Sequence, residues 1–167
     1  MEKRNNLKEW LLWLMVGVSL ALMVYNTSMR WRSSRRGQQP ATQIKNGTNL
    51  ANFQLKNSNN EDFVIPNKGR HLLSFMTTEC RACQRQVTSL NDVVKAKGSY
   101  DRVSAVFFEP ANKVVAFQAT FNPEFNCLLD NKGELASKLQ INTYPQTIDL
   151  VDGVVVKSWV GLQVKFE

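Results

Sequence analysis

The stretch HLLSFMTTECRACQRQVTSL, residues 71–90, joins two patterns in twenty residues. HLLSFM is a short apolar run, as in a strand buried on both faces. From Cys80 onward, Cys83, Val87, Leu90 and Val94 recur at helical spacing, which predicts a helix from Cys80 to about Ala96. Between strand and helix stand two cysteines separated by Arg81-Ala82. Spacing alone leaves three readings open: a redox pair, half of a zinc site, or two structural thiols. Placement at the start of a helix favours the redox pair. The N-terminal N–H groups and the helix dipole stabilise negative charge on Cys80, and Arg81 acts in the same direction. Cys83 lies almost one turn later, so its sulfur can reach the first, and it shares the apolar face with Val87 and Leu90. That division gives an exposed attacker, Cys80, and a sheltered resolver, Cys83, as thiol–disulfide exchange requires.

Around this centre the chain alternates strand-like and helix-like segments, with no internal repeat. Phe53–Leu55 and Phe63–Ile65 flank a polar NSNNED turn and predict a hairpin. Strands are expected at Val103–Phe108 and Cys127–Leu129, and helices at Ala111–Phe121 and Glu134–Leu139. Gln146–Val151 and Val154–Val160 alternate around Asp152-Gly153, a strong hairpin signal. A β-α-β unit followed by a helix and an antiparallel hairpin predicts an α/β fold, a mixed central sheet flanked by helices.

The remaining cysteine, Cys127, sits beside Leu128 and Leu129 and reads as a buried, inert thiol. The single histidine, His71, begins a strand and reads as structural. A zinc site of Cys/His type would need two more well-placed ligands beside Cys80 and Cys83. Neither a metal nor a cofactor is expected.

The net charge of +7 over 167 residues is unevenly placed. Lys3, Arg4, Lys8, Arg30, Arg32, Arg35, Arg36 and Lys45, against Glu2 and Glu9, give residues 1–45 a charge of +6 and leave +1 for the rest. The body therefore has no strongly basic balance, and nucleic acid is not an expected partner. Trp10 to Tyr25 carries no charge, and extension to Met29 gives twenty residues, enough for a hydrocarbon core of ~30 Å. Trp10 and Trp13 stand at one end, Tyr25 and Trp31 at the other, as interfacial aromatics do. The segment is read as a transmembrane anchor, 1–29. A cleaved signal peptide is the alternative, although no small-x-small site follows the apolar run. Lysines and arginines are nearly balanced across the span and do not orient it. RWRSSRRGQQPATQ is polar and aperiodic and reads as a tether over 30–49, leaving 50–167 as the folded domain.

The run from Phe53 to Gly161 resembles the membrane-anchored, thioredoxin-like thiol–disulfide oxidoreductases, the group that includes cytochrome c maturation and sporulation proteins of Gram-positive bacteria. IPNKG after the entry hairpin, HLLSF, CRAC opening a helix, LLDNKGELASKLQI and YPQTIDLVDGVVV follow in the family's order. The resemblance implies a thioredoxin fold, with Pro145 as the cis-proline facing the cysteines. It implies that Arg81, Ala82 and Tyr144 line the place where a protein thiol or disulfide substrate docks. It also implies a membrane electron-transfer protein as redox partner. Disulfide traffic belongs outside the cytoplasm, so a cell-membrane protein with an extracytoplasmic domain is expected. A thioredoxin-like copper chaperone and a non-catalytic anchored interaction domain are the competing functions.

The sequence departs from the family's pattern in four places. Glu79 stands where tryptophan usually precedes the first cysteine. Ser74 and Gln86 stand at the two positions where a buried carboxylate usually serves the resolving thiol as proton acceptor. Their occupancy predicts slow or differently assisted resolution. Glu109 is a candidate substitute, with a solvated charge before Pro110 as its plainer reading. No closing helix is evident in GLQVKFE, so either that helix is lost or a partner covers its face.

Overall fold

The computed structural model describes residue 10 and residues 13–25, 44–96 and 98–166. The chain divides into two compact units, Met1–Pro40 and Ala41–Glu167. In the first, residues 13–25 are helical with exposed side chains. No helix among the described residues is long and apolar enough to cross a membrane. Residues 1–9, 11–12 and 26–29 of the expected anchor lie outside the described residues, as do residues 30–43 of the expected tether.

The second unit contains a seven-stranded sheet in the order β2-β1-β5-β4-β3-β6-β7. Its strands are β1 (Gln54–Asn57), β2 (Asp62–Val64), β3 (Arg70–Met76), β4 (Arg102–Phe107), β5 (Asn126–Leu129), β6 (Gln146–Val151) and β7 (Val154–Val160). The helices are α1 (Arg81–Ala96), α2 (Ala111–Phe121) and α3 (Glu134–Leu139). β3–β4 and β4–β5 are parallel, and the other neighbours are antiparallel. This is the expected mixed sheet, with strand boundaries moved by one or two residues. Alternation along β3 sends Leu73 and Phe75 into one core and Leu72 and Met76 into the other. The first core takes Leu135 and Leu139 of α3, and the second takes Val87 and Leu90 of α1 and Val114 and Phe117 of α2. Both faces of β3 are therefore covered, which explains its unbroken apolar run.

Residues 44–49, expected as the end of the tether, pack against the sheet. Ile44 is buried, the Gly47 N–H donates to the Val155 carbonyl at 2.7 Å, and Val155 N–H returns a bond to Thr48 at 2.9 Å. The β6–β7 turn has positive φ at Asp152 (51°) and Gly153 (78°), the combination an Asp-Gly hairpin needs.

Register places the functional residues. In β3, Phe75 pairs with Gln146 of antiparallel β6, and Met76 pairs with Phe107 of parallel β4. The chain leaving β3 toward Cys80 thus passes between Pro145, which precedes β6, and Phe108-Glu109, which follow β4. At the opposite end of the sheet, Arg70 makes three guanidinium contacts of 2.6–3.1 Å with buried Asp149 and lies over the Tyr100 ring.

Candidate active site

Helix α1 begins with sulfur in place of a capping oxygen. The Cys80 carbonyl accepts the N–H of Gln84 at 3.0 Å, and the Cys80 Sγ accepts the N–H of Cys83 at 3.1 Å. Serine, threonine or aspartate normally fills this role at a helix N-cap. No acidic residue occupies the first turn, so the Cys80 sulfur is the group that meets the positive end of the dipole there. Cys80 is partly exposed, Cys83 is fully buried, and all three cysteines are free thiols. Burial first, and then the hydrogen bond with Cys80, push the Cys83 thiol up to about 12, while contacts with Thr77 pull the other way. Cys127, in the same apolar core, is also pushed up to about 12 by burial.

The Tyr144–Pro145 peptide is cis, and the Cys80 thiol faces the Tyr144 carbonyl at 3.9 Å. Pro145 is buried and Tyr144 half-buried, the Tyr144 ring tilted against Phe108 at 5.6 Å. Burial raises the Tyr144 hydroxyl above its ordinary range. Arg81 is exposed and Ala82 half-buried beside Cys80. The structure therefore brings Cys80, Cys83 and Tyr144-Pro145 together, with Arg81 and Ala82 on the rim.

The departures from the family's pattern acquire definite partners. Ser74 is buried and shares a hydrogen bond with Thr147 at 2.9 Å. Glu79 forms an exposed ion pair with Lys113 at 3.0 Å. Glu109 is not the solvated charge of the plainer reading. Its carboxylate accepts the Thr78 N–H at 2.6 Å and the Thr78 hydroxyl at 2.8 Å, which fixes the approach to Cys80. Gln84 Nε2 donates to the Thr78 carbonyl at 2.9 Å from the other side. Gln86, fully buried, pairs with the backbone of Gln163 in the non-helical segment 161–166. His71 is buried and bonded to Ser104 at 3.0 Å, as a structural histidine would be. Glu109, Thr78, Phe108 and Gln163 were not read from the sequence as one site. Each depends on strand register or on a partner far along the chain.

A cysteine that caps a helix, a second cysteine beneath it and a proline across from both, on a mixed sheet with helices on its two faces, define a thioredoxin-like redox domain. No family model matches the chain. It is 31% identical over 117 residues to sporulation thiol-disulfide oxidoreductase A of Bacillus subtilis (strain 168), covering 65% of this chain and 70% of that protein. The crystal structure of StoA from Bacillus subtilis superposes with a TM-score of 0.59 at 28% identity, covering 74% of this chain and 92% of that one. A secreted Mycobacterium tuberculosis disulfide oxidoreductase homologous to E. coli DsbE shares the fold, with a TM-score of 0.59 at 16% identity over 70% of this chain and 88% of that one. The chain belongs to the thioredoxin-like thiol–disulfide oxidoreductases, and the protein is an oxidoreductase of that class.

Proposed function

We propose that Cys80 and Cys83 exchange disulfides with protein substrates, Cys80 as nucleophile and Cys83 as resolving thiol. The observation that carries this reading is the Cys83 N–H aimed at the Cys80 sulfur, in a half-exposed position opposite Tyr144-Pro145. Cys80 thiolate attacks one sulfur of a partner disulfide, forming a Cys80–partner S–S bond and releasing the other partner sulfur as a thiolate that takes up a proton. Cys83, on losing its proton, attacks the Cys80 sulfur and frees the second partner thiol. Two electrons and two protons pass to the partner, and the pair becomes a disulfide. The same steps in reverse oxidise a dithiol, so the potentials of the partners set the direction. Arg81, Ala82 and Tyr144 form the rim against which a substrate segment lies.

We further propose that residues 1–29 anchor the protein in the cell membrane, with the catalytic unit tethered on the extracytoplasmic side. The uncharged run from Trp10 to Tyr25 and its aromatic ends support this. Membrane attachment gives access to an electron-transfer protein of the bilayer, which would restore the thiols. Carbonate extraction checks the anchor: the full chain should stay with the membrane pellet. A mature protein beginning after Tyr25 would overturn it.

Substitution separates the roles of the two cysteines. Cys83→Ser should accumulate mixed disulfides with partner proteins, and Cys80→Ser should not. The reverse pattern would reject the assignment.

A further inference from the structure

We propose that Gln86 is a positioning residue for exchange at Cys80–Cys83, acting through segment 161–166 as a strap between Pro145 and α1; this rests on the exchange reading above. Gln86 is fully buried on α1, three residues after Cys83. Its Nε2 donates to the Gln163 carbonyl at 3.0 Å, and its Oε1 accepts the Gln163 N–H at 2.8 Å. Only a group with one donor and one acceptor side by side satisfies both. Two residues earlier the Gly161 N–H donates to the Pro145 carbonyl at 2.8 Å, and Gly161 turns the chain with φ of 82°. The Gln163 side chain donates back to the carbonyls of Val160 (3.2 Å) and Gly161 (3.3 Å), which holds the turn shut. Phe166 meets Trp159 edge-on at 5.4 Å, and both rings pack on the core that contains the two cysteines.

The cysteines ride on α1, whereas Pro145 belongs to the chain entering β6. Between them runs one circuit: Pro145 carbonyl, Gly161, Gln163, Gln86, then one turn of helix to Cys83. Bonds at both ends of the strap fix the distance across which sulfur chemistry occurs, and small displacements at a reacting centre are costly in rate.

The amide differs from the carboxylate often found at this position in the family. An ionised carboxylate accepts only and would set its charge against the Gln163 carbonyl oxygen. A protonated one offers a hydroxyl donor and a carbonyl acceptor, and so mimics the amide. Gln86→Glu should therefore work when protonated and fail when ionised. A carboxylate that served instead as proton acceptor for Cys83 would help when ionised, so the two roles predict opposite pH trends.

The test uses the full chain in detergent, as wild type, Gln86→Glu and Gln86→Leu. Reduced protein is mixed with the chromogenic disulfide 5,5′-dithiobis(2-nitrobenzoate) in stopped flow. The second thionitrobenzoate release reports attack of Cys83 on the Cys80 mixed disulfide. Full burial at this position disfavours the ionised carboxyl, so the rate of Gln86→Glu relative to wild type should be close to one at pH 5 and at least about fivefold lower at pH 8, the factor that corresponds to losing one buried hydrogen bond. Gln86→Leu should be slow throughout, and if it does not fold, Gln86→Glu carries the test alone. A relative rate that rises with pH, or one independent of pH, overturns the proposal. Absence of a second release in the wild type would instead reject exchange at this pair.

Discussion

The Cys83 backbone nitrogen lies 3.1 Å from the Cys80 sulfur, so the buried cysteine's own N–H is hydrogen-bonded to the partly exposed one. The two cysteines are unequal for a structural reason. One accepts the Cys83 N–H in a partly exposed position, and the other lies beneath it in an apolar core with its thiol pushed up to about 12.

That inequality predicts which step responds to pH. Far below its pKa, a thiol's thiolate fraction rises tenfold per pH unit. Decay of a Cys80 mixed disulfide should accelerate about tenfold per unit between pH 6 and 8. Rapid-quench trapping measures it, and a rate independent of pH over that range would mean that Cys83 does not resolve as a free thiolate.

The Glu109–Thr78 contact should be worth measurable stability. Hydrogen bonds to a charged group contribute about 1.5–3 kcal/mol each. Glu109 and its partner are only partly buried, so the lower end applies, and Glu109→Ala should cost about 2 kcal/mol. In a double-mutant cycle by urea unfolding, Glu109→Gln with Thr78→Val should show a coupling near 1 kcal/mol, since the pair touch directly. Additivity within ~0.3 kcal/mol would deny the contact.

His71 should make the domain acid-sensitive. Burial, and to a lesser extent the charge of Arg102, lower its pKa from 6.5 to about 4. The unfolded chain then binds a proton that the folded chain refuses. Stability present above pH 6.5 should be lost as pH falls toward 4, at up to about 1.4 kcal/mol per unit from this group. Urea titrations at several pH values should show a shallower acid slope for His71→Leu than for wild type. Parallel slopes would rule out the histidine as the source.

The Arg70–Asp149 pair supports the far end of the sheet. The Asp149 side chain is 2% exposed and the Arg70 side chain 41%. Removing one partner of a fully buried pair costs about 3–5 kcal/mol, and water reaching Arg70 discounts that figure. Arg70→Met should destabilise by about 2–3 kcal/mol in chemical denaturation and leave the thiol chemistry intact. A loss below ~0.5 kcal/mol would show that Asp149 is satisfied without it.

The parts readable in advance were those written in local patterns. The run 71–76, the helix after Cys80 and the turn at Asp152-Gly153 each carry their signal within a few residues. Gln86 shows why the rest was hidden. Its sequence position reveals that a carboxylate is missing, but its partner lies 77 residues away. Glu109 looked solvated because Pro110 follows it, and only the parallel register of β3 and β4 brings it to Thr78. Ile44 is a lone apolar residue after a polar stretch, so nothing nearby foretold its burial.

The Ser74–Thr147 hydroxyl pair has a consequence for the proton inventory of the reaction. The two positions where a titrating carboxyl would share the cysteines' protons hold a hydroxyl bonded to another hydroxyl and an amide bonded to backbone. Neither gains nor loses a proton between pH 5 and 8. The midpoint potential of the pair should then change with pH through the thiols alone, with no inflection from a carboxyl at either position. On the proposed exchange, the protons that accompany the two electrons would pass between the thiols, the partner and solvent, with no carboxyl at either position to store them.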